Sequence, residues 1–433
     1  MNDRFEELRE NTARQQGEFR PELLRLKAPR DRERFLALLQ LPGVALDDTL
    51  EAQLVELVKS LHPSKRFTPA ESQAAARAHL GGCPPEEYGV WVYYPWANRL
   101  VHLLDEEEFV LVRTDRNRNK ITREEQATLA TKRIGVIGLS VGQSVSLTMA
   151  SERSFGEIRL ADFDSLELSN LNRIRSGVHR LGSNKAVNVA REIAQLDPFL
   201  KVTCFTDGLT RENMDAFFTE GGTLDLLVEE CDSVDIKILA RQKAKSLRIP
   251  VVMDMSDRGC IDVERFDLEP DRRIMHGWID HLDLDAAARP MTNEEKVPFM
   301  LPIVGMDTLS PRLKASVIEL GHTVTTWPQL ASAVILGGAV VGDVARRILL
   351  GAPIASGRTF VDLEALFPGA PTPPIPHIPE VTFDVAAIVE RIEKDLPVQG
   401  KDLPDDLFKE LVQAGAFAPS AGNMQPWRFM AHG

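Results

Sequence analysis

Residues 133–144, RIGVIGLSVGQS, run from a short apolar stretch of β-forming residues into a glycine-broken turn and then into helix-forming sequence. Ile134 to Ile137 predicts a strand, and Val145 to Ala150 predicts the body of the following helix. At such a turn Gly138 and Gly142 let the main chain come close to a phosphate, and the N–H groups of the helix start face it. The loop is one residue shorter than the G-x-G-x-x-G dinucleotide fingerprint and carries Ser140 where that pattern has glycine. By itself it fits equally well with glycines that only pack helix on strand.

The next segment narrows the choice. Ile158 to Ala161 predicts a second strand, and Asp162 follows Gly138 by 24 positions, close to the separation of an acid that binds ribose hydroxyls. NAD and ATP fit this equally. Directly after that strand DFDSLELSNLNR adds Asp164, Ser169, Asn170, Asn172 and Arg173, at the carboxyl end where open α/β sheets bind ligands. Arg173 offers a planar donor fork for phosphate. Lys185, behind a turn at Gly182, adds a mobile point charge. The competing reading makes both cations ordinary solvated surface residues. A third strand, Leu224 to Val228, runs into Glu229, Glu230, Cys231 and Asp232. An acidic cluster there suits Mg²⁺, which takes one or two carboxylates plus phosphate oxygens, and Asp232 is the metal candidate. Asp232 could instead be the N-cap of the helix beginning at DSVDIKILARQKA.

Taken together, RIGVIGLSVGQS, LADFDSLELSNLNR, GSNKAVNVA and LVEECDS resemble the ThiF/MoeB/HesA branch of the ubiquitin-activating-enzyme superfamily, over roughly Arg116 to Gly351. The resemblance implies an α/β fold, a Rossmann-like ThiF-type nucleotide-binding unit with a mostly parallel sheet. It also implies an activity: ATP and Mg²⁺ are used to adenylate a carboxylate, usually the C-terminus of a ubiquitin-like carrier protein, with release of pyrophosphate. On the matching positions Asp162 would hold the ribose, Ser169 to Arg173 with Lys185 the phosphates, and Asp232 the metal. An arginine ahead of the first strand, best matched by Arg118 and next by Arg116, would reach into the partner's site of a homodimer. The chemistry suits this inventory, because a carboxylate nucleophile is already ionised at neutral pH and needs only charge neutralisation and alignment.

Two departures limit the substrate. Many relatives bind zinc through paired CxxC motifs, whereas Cys83, Cys204, Cys231 and Cys260 stand alone, so no structural zinc is expected. Only Cys260 looks placed on a turn for thioester transfer, and a lone cysteine reads first as a small core hydrophobe. Adenylation without an obligatory thioester is the expectation. Some zinc-free relatives dehydrate or cyclise a carboxylate on tRNA, which keeps a small-molecule or RNA-borne substrate open. Against 51 Lys and Arg stand 64 Asp and Glu, a net charge of −13, which argues against a broad nucleic-acid-binding face. The charged start MNDRFEELRE has no signal-peptide core, and the apolar run from Leu330 to Gly342 is too short to span a membrane. With few, unpaired cysteines, the expected location is the cytoplasm.

Four units are expected along the chain. Residues 1–112 form a small α+β subdomain: helical blocks RERFLALLQ, LEAQLVELVKSL and PAESQAAARAHL, then β-type GVWVYYPW, RLVHLL and FVLVRT. Its aromatics read as packing. Residues 113–367 form the ThiF-type adenylyltransferase domain, closing on a long apolar helix from Leu330 to Leu350. Residues 368–383 form a Pro-rich linker. Residues 384–433 form a partial helical segment ending in APSAGNMQPWRF, which resembles the opening of the nitroreductase family; the two families share one chain in MoeY-type fusions. In that family Ser420, Asn423 and Gln425 would line an FMN pocket. The 50 residues after the linker are far short of a domain, so they read as a truncated or vestigial piece, and FMN would need another chain to complete its site. The glycines and this segment keep an NAD- or FMN-dependent oxidoreductase as the alternative function. A non-enzymatic carrier-binding module is a third reading.

Overall fold

The computed structural model describes residues 17–284, 289, 293–320 and 323–367. The linker and the nitroreductase-like segment lie outside the described residues.

Two sheets organise the chain. The first has the order β1-β3-β4-β2, from β1 (Glu22–Leu24), β2 (Ala45–Asp48), β3 (Val90–Tyr94) and β4 (Arg99–Leu103). Helices Pro29–Leu39, Leu50–Leu61 and Pro69–His79 occupy the three predicted helical blocks. The hairpin aromatics are packed: Trp91 stacks on the buried His102 ring at 4.0 Å, and the Tyr94 hydroxyl donates to the Ala194 carbonyl. FVLVRT is a helix, Glu106–Arg113, where sequence predicts β structure. Asp105 caps it through the Glu106 N–H, three glutamates fill its first turn, and Phe109, Leu111 and Val112 pack on Leu50, Leu54 and Leu57. Capping and a complementary dipole, together with that burial, outweigh the β preference of Val110 and Val112.

The second sheet has seven strands in the order β11-β10-β9-β8-β5-β6-β7. Its members are β5 (Arg133–Ile137), β6 (Glu157–Ala161), β7 (Lys201–Phe205), β8 (Leu226–Glu229), β9 (Val251–Asp254), β10 (Cys260–Glu264) and β11 (Gly357–Phe360). β7, β6, β5, β8 and β9 are parallel; β10 and β11 are added antiparallel. This is the mixed, largely parallel α/β architecture expected. The chain winds outward from β5 through β6 to β7, then returns to lay β8 on the other side of β5. That reversal is the switch point at which such sheets bind ligands.

Both faces are covered. Helices Gly142–Glu152, Lys185–Leu196 and Ala331–Leu349 build one core around Val136, Val145, Met149, Ile158, Ala190 and Val341, all essentially inaccessible. Helices Met214–Thr219 and Val234–Ser246 build the other around Phe217, Phe218, Leu227 and Ile238. Burial on both faces explains the continuous apolar strands read in the sequence. The first sheet packs Val90, Val92 and Tyr94 against Ala194 and Phe199, and Arg153 bridges the buried Asp197 to Glu106 at 3.0 Å each. No helix among the described residues is long and apolar enough to cross a membrane.

Candidate functional site

The carboxyl ends of β5, β6 and β8 come together at the switch point, and each carries predicted site residues. After β5, Gly138 takes a left-handed φ of 82°. A Cβ there would lie 2.6 Å from the Glu230 carbonyl, so the turn presses directly on the chain leaving β8. Gly142 has a different role. A Cβ on it would lie 2.7 Å from the Val136 side chain, so this glycine seats the helix on its own strand. The helix starts there with no side-chain cap, which leaves its first N–H groups for water or a ligand. Gly138→Ala is therefore expected to cost about 1–2 kcal/mol from the left-handed backbone alone, and more from contact with Glu230. Thermal unfolding reads this, and a variant that melts like wild type would contradict it.

After β6, Asp162 is nearly buried and organises two loops. Its Oδ2 accepts the Leu139 N–H at 2.6 Å and its Oδ1 accepts the Asp164 N–H at 2.8 Å. Burial pushes the Asp162 carboxyl up, while the Leu139 N–H and the Lys185 charge oppose that shift. Asn184 caps the helix Lys185–Leu196 by accepting from Ala186 and Val187, and its amide donates to the Asp162 carbonyl. That cap places Lys185 beside Asp164, and the ammonium donates to Asp164 Oδ2 at 2.8 Å. Lys185 is buried, whereas Asp164 is half exposed.

Residues 168–172 form a 3-10 turn. Here the side chains expected to meet phosphate make local bonds. Asn170 is buried and accepts the Glu167 N–H at 3.0 Å; Ser169 faces Glu167 at 3.5 Å; Asn172 donates to the Gln329 carbonyl at 2.7 Å. Arg173 is half-buried, with Nη1 on Asn172 at 3.0 Å and a buried Nε that has no partner among the described residues. Burial pushes its guanidinium down, opposed by the charge of Asp232. Arg173 follows β6 and Asp232 follows β8, so both lie on loops at the carboxyl ends of strands that flank β5. Ser140 lies in the turn, partly exposed.

At the end of β8 the acidic cluster separates. Glu229 and Glu230 turn inward, Glu229 to Lys237 and Arg241, and Glu230 to the Asp254 N–H at 3.0 Å. Asp232 is left as the exposed carboxylate. The adjoining helix takes Ser233 as its N-cap, without a side-chain bond, so Asp232 is not used as a cap. Among the described residues no three of His, Cys, Asp and Glu converge as a metal cage. One exposed carboxylate fits a cation held mainly by phosphate and water, as Mg²⁺ is.

Two predicted residues stand apart. Arg118 pairs with Asp115 at 3.1 Å in a turn whose Asn117 donates to the Glu152 carbonyl. This is the far end of the helix that starts at Gly142, about 16 Å from the glycine turn, so within one chain Arg118 does not join the other residues. Cys260 is the first residue of β10 and buried, and burial pushes its thiol up to about 12. As placed, it is no nucleophile at neutral pH.

Sequence reading missed Gln143. Its amide donates to the Arg175 carbonyl at 2.9 Å and to Glu192 at 2.8 Å, and it accepts the Arg175 N–H, so the first helical turn holds the Arg173 segment in place. Nothing in the sequence separates Gln143 from a solvated glutamine at a helix start. It also missed Lys237 and Arg241, whose spacing of four on one helix was the available signal.

The ThiF family model matches residues 114–259, and the nitroreductase family model matches residues 398–432. Uncharacterized protein MT1398 of Mycobacterium tuberculosis (strain CDC 1551 / Oshkosh) is 42% identical over 388 residues, covering 89% of this chain and 52% of that protein. The chain therefore spans about half the length of that relative. The tRNA threonylcarbamoyladenosine dehydratase of Bacillus subtilis is 21% identical over 242 residues, 54% of this chain and 94% of that enzyme. The E. coli tRNA N6-threonylcarbamoyladenosine dehydratase in complex with AMP superposes with a TM-score of 0.41 at 19% identity, covering 57% of this chain and 98% of that one. The glycine turn, the Asp162 loop and the Asp232 turn all fall inside the span, residues 114–259, that matches the ThiF family model.

Proposed function

We propose that this protein is an ATP-dependent adenylyltransferase that activates a carboxylate as an acyl-adenylate and releases pyrophosphate. The observation that carries the reading is the meeting of three strand ends at one switch point, with Asp162, Arg173 and Asp232 on the chain that leaves them and Lys185, at a helix start, bonded to the Asp162 loop through Asp164. In this reading Asp162 accepts from the ribose with the lone pairs its loops leave free. Lys185 exchanges Asp164 for a phosphate oxygen, and Arg173 turns its unpartnered edge to the triphosphate. Mg²⁺, when bound through Asp232, would neutralise charge on the phosphates. The residues of the chain orient the α-phosphate, and no general base is required because the attacking carboxylate is already ionised.

ATP–pyrophosphate exchange, screened with ubiquitin-like carrier C-termini and small carboxylates, tests the reading. Exchange that depends on one carboxylate is the expected result. A protein that binds NAD(H) tightly and ATP not at all would overturn it and favour the oxidoreductase.

A second reading, a dehydratase or cyclase acting on a modified tRNA, is favoured by the match that spans 94% of the Bacillus subtilis dehydratase. The net charge of −13 weighs against it. Exchange supported by a tRNA-borne carboxylate and by no peptide or free acid would select it.

Arg118 carries the proposal of a homodimer with a shared site. Arg118→Ala and Lys185→Ala are each expected to be inactive alone. Mixed and re-equilibrated, they form heterodimers in which one of the two sites is intact, restoring about a quarter of wild-type exchange. If the mixture stays inactive although the subunits exchange, Arg118 does not act in trans.

A further inference from the structure

Behind Asp232 lies a buried run of charges that the nucleotide ligands do not use. Glu229, the last residue of β8, is fully buried. Its Oε1 accepts the Cys231 N–H at 2.8 Å, and its two oxygens accept from Lys237 Nζ at 3.0 and 2.8 Å. Arg241, one turn further along the same helix, donates Nη1 to Glu229 Oε2 and Nε to Glu264 Oε2 at 2.6 Å. Glu264 in turn accepts the Met275 N–H at 2.7 Å. Two charges of each sign balance. Burial alone would push the Glu229 carboxyl up, but Lys237 and Arg241 hold it down at about 2.

Buried ion networks of this kind are weak contributors to stability, since apolar groups of similar volume often serve as well. What an apolar group could not replace is the acceptor for Cys231. The chain leaving β8 is fixed at three points before it reaches Asp232. The Glu230 N–H donates to the Ile137 carbonyl at 2.8 Å, the Glu230 carboxylate accepts from Asp254, and the Cys231 N–H is held by Glu229. The last bond holds the Glu230–Cys231 peptide, one before that of Asp232, and the Cys231 thiol donates to the Ser233 carbonyl at 3.6 Å on the other side of Asp232.

We propose that Glu229 is a positioning residue. By holding the Cys231 N–H, with Lys237 and Arg241 fixing its carboxylate, it sets the direction in which Asp232 presents its carboxylate to Mg²⁺. The inference rests on Asp232 as the metal contact of the proposed adenylyltransferase.

The test compares two charge-balanced pairs. Glu229→Met with Lys237→Met removes the acceptor, whereas Glu229→Gln with Lys237→Met keeps an amide oxygen for Cys231. Thermal unfolding and calorimetric titration of ATP, first in chelator and then at rising Mg²⁺, are read on both and on wild type. Both pairs are expected to bind metal-free ATP as wild type does. The Met pair should need about 10–100-fold more Mg²⁺, the usual cost of losing an outer partner of a metal ligand, and the Gln pair should stay close to wild type.

If the Met pair matches the Gln pair while wild type responds to Mg²⁺, the role of Glu229 falls and the adenylyltransferase reading stands. If wild-type ATP binding ignores Mg²⁺, Asp232 as metal contact falls and this inference with it. Hydrogen exchange at the Cys231 amide of the wild-type chain gives a check that does not depend on either pair folding. Slow exchange without nucleotide is expected, and exchange at the unprotected rate overturns the proposal.

Discussion

Lys185→Ala lowers carboxylate-dependent ATP–pyrophosphate exchange by about 100-fold or more, the size expected when one preorganised charge is removed from a developing anion. Arg173→Ala has an effect of the same order. The prediction is sharp because the ammonium is buried next to a single half-exposed carboxylate, Asp164. Asp164 stays half exposed to water, so losing the pair strands no fully buried charge, and Lys185→Ala should destabilise far less than it slows exchange. A loss of exchange out of proportion to the loss of stability separates a phosphate ligand from a structural lysine. Asp164→Asn removes the competitor that a phosphate must displace, so it should leave exchange intact or raise it. A Lys185→Ala protein that exchanges pyrophosphate normally would place the triphosphate elsewhere.

Arg241→Ala should be the most destabilising single change in the domain. Its guanidinium is fully buried between Glu229 and Glu264. Removing it strands two buried carboxylates and opens a cavity, costing about 3–5 kcal/mol. The pH dependence carries a definite sign. Glu229 is held at about 2, below its ordinary 4.5. Its contribution is complete above that ordinary value and is lost as the pH falls toward 2. Without Arg241 the carboxylate moves back up, so the variant should begin to unfold at a higher pH than wild type during acid titration. Melting temperature against pH checks both. An Arg241→Ala protein within 1 kcal/mol of wild type, with an unchanged acid limb, would show that the network is idle. A broken buried pair is costly, whereas the balanced Glu229 and Lys237 pairs remove one cleanly and should be nearly neutral.

Periodicity and glycine placement made the frame legible. β5, β6 and β8, and the helix Ala331–Leu349, sit within a residue or two of where apolar runs predict them. Gly138 was visible as a strained turn, but its contact is the Glu230 backbone, which no local pattern could announce because 92 residues separate the two. The same holds for Lys185 and Asp164. Both were read as nucleotide ligands from spacing, and their pairing follows only from the Asn184 cap. In the acidic run after β8 the sequence singles out Asp232 as the metal candidate but does not show its neighbours' partners: Glu229 is buried on Lys237 and Arg241, Glu230 accepts the Asp254 N–H, and Asp232 is exposed. FVLVRT shows the limit of residue preference. Its β-branched residues lie in a helix because Asp105 and three glutamates specify a helix start. Strand order, and with it the switch point between β5 and β8, was implied by the family likeness rather than by any residue.

The account stands on a single nucleotide site at the ends of β5, β6 and β8, and a crystal structure of the protein soaked with ATP and Mg²⁺ tests that most directly. The predicted result is a ribose on Asp162, a triphosphate between Arg173 and Lys185, and a metal on Asp232. Density for the nucleotide at any other place, or an Asp164–Lys185 pair undisturbed beside an empty switch point at saturating ATP, would contradict it.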